Sequence, residues 1–160
     1  MQLTDNKERT SLIKWISVAD RYIKIQLDRE LKQYQLSSST YYYLLRLQER
    51  PGITQEGLID LMYLNRSNVT RSINQLVDLG IVRKEIVQSD RRVSKLYLTD
   101  RGEELCPIIA QIRADAIDRV AEDAGEHLDE FATAIKSVAM GTVDREQKFD
   151  ERELNNKNDK

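Results

Sequence analysis

Apolar residues recur at three- and four-residue steps along most of this chain, which is the helical period. The first run spans about Asn6–Tyr34, where Leu12, Trp15, Ile16, Ala19, Tyr22, Ile23, Leu27 and Leu31 form one stripe. A helix of that length measures on the order of 40 Å, more than one small core covers. Leu36-Ser37-Ser38-Ser39-Thr40 interrupts the stripe. A hydroxyl there can accept a bond from a free amide and cap a second helix, about Ser38–Glu49. Pro51-Gly52 stops that helix. Thr54 is placed to cap a third, Gln55–Met62, with Leu58, Ile59 and Met62 inward. Asn65 is placed to cap a fourth, Arg66–Leu79. Gly80 then stands where a helix end favours a left-handed residue, with Ile81 as the apolar contact that folds back.

After Gly80 the period changes. Ile81–Val87 and Ser94–Leu98 read as strands, and the polar, basic stretch Gln88–Val93 between them makes a hairpin. Its turn lacks the usual Asn-Gly type of signal. Thr99 caps another long helix, striped by Leu105, Ile108, Ile109, Ile112, Ala116 and Val120. A break near Gly125 precedes a last helix with Leu128, Phe131, Ala132, Ile135 and Val138 on one face. From Asp144 onward only Phe149 and Leu154 are apolar, and a segment so charged is expected to be disordered. The fold class is therefore mainly α with a small β-hairpin wing. Residues 1–35 form an N-terminal dimerisation helix, 36–99 a winged helix-turn-helix, 100–142 C-terminal dimerisation helices, and 143–160 a charged tail.

Composition narrows the function. With 160 residues, 40% of them hydrophobic, the chain is about one domain. Six glycines and two prolines are too few for a turn-heavy β fold. Cys106 is the single cysteine and His127 the single histidine, which excludes an internal disulfide, a cysteine-based zinc site and a Cys-x-x-Cys pair. The glycines form no phosphate-binding pattern. No nucleophile or acid–base set stands out, so the chain reads as no enzyme, with no cofactor and no metal. No apolar run approaches about 18 residues, so no membrane-spanning helix is expected. The segment MQLTDNKERTSLIKW lacks the apolar core of a secretory signal, and the expected location is the cytoplasm.

The net charge of −2 hides an asymmetry. Asn65–Lys95 holds seven basic residues against three acids, whereas Glu122–Lys160 holds eleven acids against six basic residues. A basic middle suits a polyanion. At about 100° per residue, Val69, Ile73, Leu76 and Val77 share one face of the fourth helix, and Ser67, Arg71, Asn74 and Asp78 lie opposite, flanked by Asn68 and Gln75. A recognition helix needs such short, hydrogen-bonding side chains toward its N-terminus. Arg71 is the candidate for a bidentate contact to guanine, and Asn68 and Asn74 for adenine. Asp90-Arg91-Arg92 puts two guanidiniums on a protruding turn, and arginine suits a narrow minor groove.

These motifs resemble the DNA-binding core of the MarR/SlyA family of bacterial transcriptional regulators. The resemblance rests on Ile-Thr-Gln-x-x-Leu at 53–58, Asn-Arg-Ser-Asn-Val-Thr-Arg at 65–71 and Leu-x-x-x-Gly-Ile-Val at 76–82. Asp-Arg-Arg at 90–92 and Leu-Thr-x-x-Gly at 98–102 complete it. It implies that Ser67, Asn68, Thr70 and Arg71 face the major groove, and that Arg92, supported by Asp90, enters the minor groove. Arg91, Lys95, Gln55 and Arg66 follow as phosphate contacts, and Ile53 as part of a third strand beside the hairpin.

The terminal helices carry more apolar surface than this core can use, and one module reads only half a site. A homodimer answers both, setting two recognition helices about 34 Å apart on a pseudo-palindromic operator in double-stranded DNA. The expected interface uses Leu12, Trp15, Ile16 and Ala19 with Ile112, Ala116, Phe131 and Ile135. The resemblance also implies a repressor relieved by a small phenolic or lipophilic effector. Tyr22, Tyr41 and Tyr43, with Tyr42 and Trp15, are candidate walls for its site. The alternative reading is a winged-helix adaptor that binds protein rather than DNA.

Overall fold

The computed structural model describes residues 6–88 and 90–158, with side chains for 10–88, 90 and 93–150. The chain divides into two compact units, one ending at Ile117 and the other beginning at Asp118. The first unit contains helix α1 (Asn6–Leu31), a short 3-10 turn (Lys32–Tyr34) and α2 (Tyr41–Glu49). Strand β1 (Ile53–Thr54), α3 (Gln55–Met62), α4 (Arg66–Asp78), β2 (Val82–Val87) and β3 (Asp90–Leu98) follow. Helix α5 (Asp100–Ala124) crosses the division, and a 3-10 turn (Gly125–His127) leads to α6 (Leu128–Asn158).

Local hydrogen bonds account for the helix ends. The Thr54 hydroxyl accepts from the Gly57 amide at 3.1 Å, and Asn65 Oδ1 accepts from the Asn68 amide at 2.9 Å. Each side chain satisfies one of the free amides of a first helical turn. At the far end of α4, the Gly80 amide donates to Val77 (2.9 Å) and the Ile81 amide to Leu76 (2.9 Å), with Gly80 at φ +66°. This is a Schellman closure, and it drops Ile81 into the core, where it is fully buried.

Helix α2 starts at Tyr41, later than the expected Ser38. The serine stretch spends its groups on a turn: the Ser37 amide donates to Thr40 Oγ1 (2.9 Å), and the Ser38 amide reaches Asp28 Oδ1 (2.6 Å).

The sheet order is β1-β3-β2, all antiparallel, with Ile53 opposite Leu96 and Thr54 opposite Lys95. Strand β2 pairs with β3 from Val82 opposite Leu98 to Ile86 opposite Ser94, and then the register slips so that Val87 faces Asp90. Residues 91–93 are therefore extra on β3, which begins earlier than the expected Ser94. Bulges of this kind occur at sheet edges and strengthen the local twist.

The core of the first unit gathers Leu27, Leu31, Leu44, Leu58, Ile73, Leu76, Leu96 and Ile109, among others. Leu105, Cys106, Ile109 and Ile112 of α5 belong to that same core. The expected boundary after residue 99 is thus not a packing boundary.

In the second unit, α6 continues to Asn158, and this corrects the expectation of a disordered tail from residue 143. Extending an existing helix adds one hydrogen bond per residue without a new nucleus. The segment is rich in Glu, Lys, Arg and Gln, all good helix formers, and Lys148 bonds Asp144 across one turn at 2.8 Å.

Candidate nucleic-acid interface

Helix α4 buries Val69, Ile73 and Leu76 and presents the opposite face to solvent. Ser67, Asn68 and Arg71 are exposed there, and none has a side-chain hydrogen bond among the described residues. Their donors and acceptors are available to a ligand. Thr70 and Asn74, also expected to contact DNA, are engaged. Gln55 Nε2 donates to Thr70 Oγ1 at 2.5 Å, and the Thr70 hydroxyl donates to the Arg66 carbonyl at 2.8 Å. Asn74 Oδ1 accepts from Lys84 Nζ of β2 at 2.7 Å. Arg66 reaches back to Glu56 on α3 at 2.7 Å. Helices α3 and α4 are thereby pinned at their N-terminal ends, and α4 is pinned to the wing in its third turn.

Side chains alternate between the faces of a strand. Val82, Lys84 and Ile86 therefore lie on the α4 side of β2. Arg83 and Glu85 lie on the other, opposite Tyr97 and Lys95. The Arg83 guanidinium stacks over the Tyr97 ring at 4.5 Å and pairs with Glu85. Lys95 thus stands on the self-neutralising face of the wing. Asp90 opens β3, and the backbones of Arg91 and Arg92 lie within that strand. The side chains of Arg91 and Arg92 lie outside the described residues.

Thr99 ties the wing to the body. Its amide donates to the Ile81 carbonyl (3.0 Å), its hydroxyl to the Gly80 carbonyl (2.7 Å), and its Oγ1 accepts from the Gly102 amide (3.2 Å). Arg101 adds a bond to the Leu79 carbonyl at 2.8 Å.

A cleft of about 590 Å³ opens beside the recognition face, lined by Lys24, Tyr41, Tyr42, Tyr43, Asn68 and Arg71, among others. Burial raises the pKa of both Tyr41 and Tyr43, against smaller lowering effects from Arg113 and the Ser72 hydroxyl respectively. Tyr22 and Trp15 do not line this cleft, because both sit on the exposed stripe of α1. Lys24 and Tyr42 do, and Lys24 carries no sequence signal that sets it apart from other surface lysines.

Of the residues expected in a dimer interface, Leu12, Trp15, Phe131 and Ile135 are exposed, as is Ala19. Ile112 is a correction: it is buried in its own core, because α5 turns that face inward. Ile16 and Ala116 are half-buried.

Cys106 is fully buried against α2, its Sγ 3.9 Å from the Leu44 carbonyl oxygen. Burial, with the Glu103 carboxylate adding to it, pushes its thiol up to about 11. His127 is exposed beside Glu126 and Glu130. Among the described residues no cluster of His, Cys, Asp or Glu could hold a metal ion, and no helix is long and apolar enough to cross a membrane.

Residues 34–93 match the MarR family model. The uncharacterized HTH-type transcriptional regulator YybA of Bacillus subtilis is 31% identical over 80 residues, which cover 50% of this chain and 53% of that protein. The chain thus spans about half the length of that curated relative. A MarR transcriptional regulator from Methanosarcina mazei superimposes with a TM-score of 0.72 at 26% identity, over 82% of this chain and 95% of that one. A putative MarR family regulator from Listeria monocytogenes, solved in complex with 26mer DNA, shares the fold at a TM-score of 0.75 and 24% identity, covering 84% and 90% of the two chains. In the matched segment, the fold and these relatives, the chain is similar to the MarR family of winged helix-turn-helix transcriptional regulators.

Proposed function

We propose that this protein is a homodimeric, sequence-specific regulator that binds double-stranded DNA. The carrying observation is the capped helix α4, which presents Ser67, Asn68 and Arg71 unengaged beside a wing that packs on the same helix. Arg71 reads guanine, and Ser67 and Asn68 contact neighbouring bases or phosphates through the first turn. Thr70, Gln55 and Arg66 brace that turn and meet the sugar–phosphate backbone. The wing, with Asp90, Arg91, Arg92 and Lys95, enters the adjacent minor groove. The Listeria neighbour's DNA complex supports this reading at the level of the shared fold.

The exposed apolar stripes of α1 (Leu12, Trp15, Ala19) and α6 (Phe131, Ile135) are covered by a second copy, so the protein binds a two-fold operator. A small phenolic or lipophilic effector enters the tyrosine-lined cleft and relieves repression. Because the cleft is walled partly by Asn68 and Arg71, its occupant and DNA compete for the same side chains.

Selection of preferred duplexes from random DNA tests the reading, with binding measured at two salt concentrations. Affinity falls steeply with salt as counterions are released, and the selected sites are two-fold repeats. Arg71→Ala costs about 1–3 kcal/mol and relaxes preference at one position per half-site. Salt-insensitive retention without sequence preference would instead favour the protein-binding adaptor. A stable monomer in sedimentation at micromolar concentration would remove the dimer.

A further inference from the structure

We infer that Lys84 is a further DNA-backbone contact, and that Asn74 is the residue that positions it rather than a reader of adenine. The inference rests on the DNA-binding reading above and adds two residue roles to it.

Three observations converge. Lys84 lies on the face of β2 that carries the buried Val82 and looks toward α4, so its ammonium sits in the angle between recognition helix and wing. A helix in a major groove and a wing in the adjacent minor groove have one phosphodiester strand between them, and that angle is where the strand passes. Second, the partner that holds Lys84 is a neutral amide. Asn74 Oδ1 accepts from Nζ at 2.7 Å, and Lys84 makes no ion pair among the described residues. Its full positive charge is held in place and left uncompensated. Two nearby cations differ: Arg83, on the opposite face, is paired with Glu85, and Arg66 with Glu56. Third, Asn74 lies in the third turn of α4, beyond the N-terminal residues that reach base edges, and its carbonyl oxygen already accepts from Lys84. A bidentate adenine contact needs that oxygen as well as the amide nitrogen.

The test is a salt titration of the full-length protein on its selected duplex, with the base-preference profile read in parallel. Each phosphate contact contributes about 0.9 to the slope of log affinity against log salt. Lys84→Gln removes one contact per subunit, so a dimer loses about 1.8 in slope and about 30-fold in affinity at 0.15 M salt, equally on all sequences. Lys84→Arg keeps most of the binding. Asn74→Ala weakens binding by less than Lys84→Gln, leaves the base profile unchanged, and has no further effect once Lys84 is Gln.

An unchanged slope in Lys84→Gln would overturn the assignment of Lys84. Relaxed preference at an adenine in Asn74→Ala, with or without Lys84, would overturn the positioning role. Wild-type protein and Arg71→Ala run beside them. If the wild type binds no duplex, the DNA-binding reading itself fails. If it binds and Arg71→Ala relaxes its preference, only the Lys84–Asn74 assignment is at stake.

Discussion

Replacing Gly102 by alanine is a small change with a calculable effect. Gly102 is in the first turn of α5, where the helix meets the end of α4 and the exit of β3. A Cβ built there would come within 2.4 Å of the Ile81 carbonyl oxygen and 3.1 Å of Leu98 Cδ2. The first is a backbone atom that already accepts from the Thr99 amide, so it cannot simply rotate away. Relieving the overlap costs about 1–3 kcal/mol, as overpacking generally does. Pulling Ile81 away weakens the Thr99 bond, for about 1 kcal/mol more. Alanine returns about 1 kcal/mol through its better helix propensity.

The net loss is about 1–3 kcal/mol, which at a urea slope of about 2 kcal/mol/M lowers the midpoint by about 0.5–1.5 M. Urea unfolding at fixed protein concentration, followed by far-ultraviolet circular dichroism, measures it. Because Ile81 also closes the Schellman end of α4, DNA affinity should fall together with stability. A Gly102→Ala protein as stable as wild type would refute the argument that this glycine exists for close approach.

Other positions give sharper single-cause tests. Asn65→Ala removes the cap of α4 and should cost about 1 kcal/mol in the same assay. Gly80→Ala meets no atom within 4 Å, so any loss comes from the positive φ alone, about 1–2 kcal/mol. Cys106 should resist iodoacetamide at pH 8 in the native protein and react quickly in urea, since the folded thiol is buried and its pKa is pushed up to about 11. The folded thiol holds its proton more tightly than the ordinary value of 9.0 allows when unfolded. Its contribution is therefore whole below about pH 9 and is lost as pH rises toward about 11. A Cys106→Ser variant should flatten that alkaline decline, and an unchanged decline would assign it to other groups.

What was legible in the amino-acid sequence was local. The start of α3 at Thr54, the cap of α4 at Asn65, the turn at Gly80 and the start of α5 at Thr99 each depend on groups within about one helical turn, so residue type and spacing decide them. The polar face of α4 was legible for the same reason, since a helix fixes which residues share a side.

Tertiary structure decided how those faces are used. Lys84 and Asn74 are ten residues apart on different elements, and only the packing of α4 on β2 makes them partners. The slip after Ile86 sets which wing residues are paired, and strand register depends on cross-strand contacts rather than composition. Ile112 and Phe131 belong to equally regular stripes, yet one is in a core and the other is exposed. Periodicity shows that a stripe will be buried, but the surrounding surfaces determine which part of it faces the chain's own core.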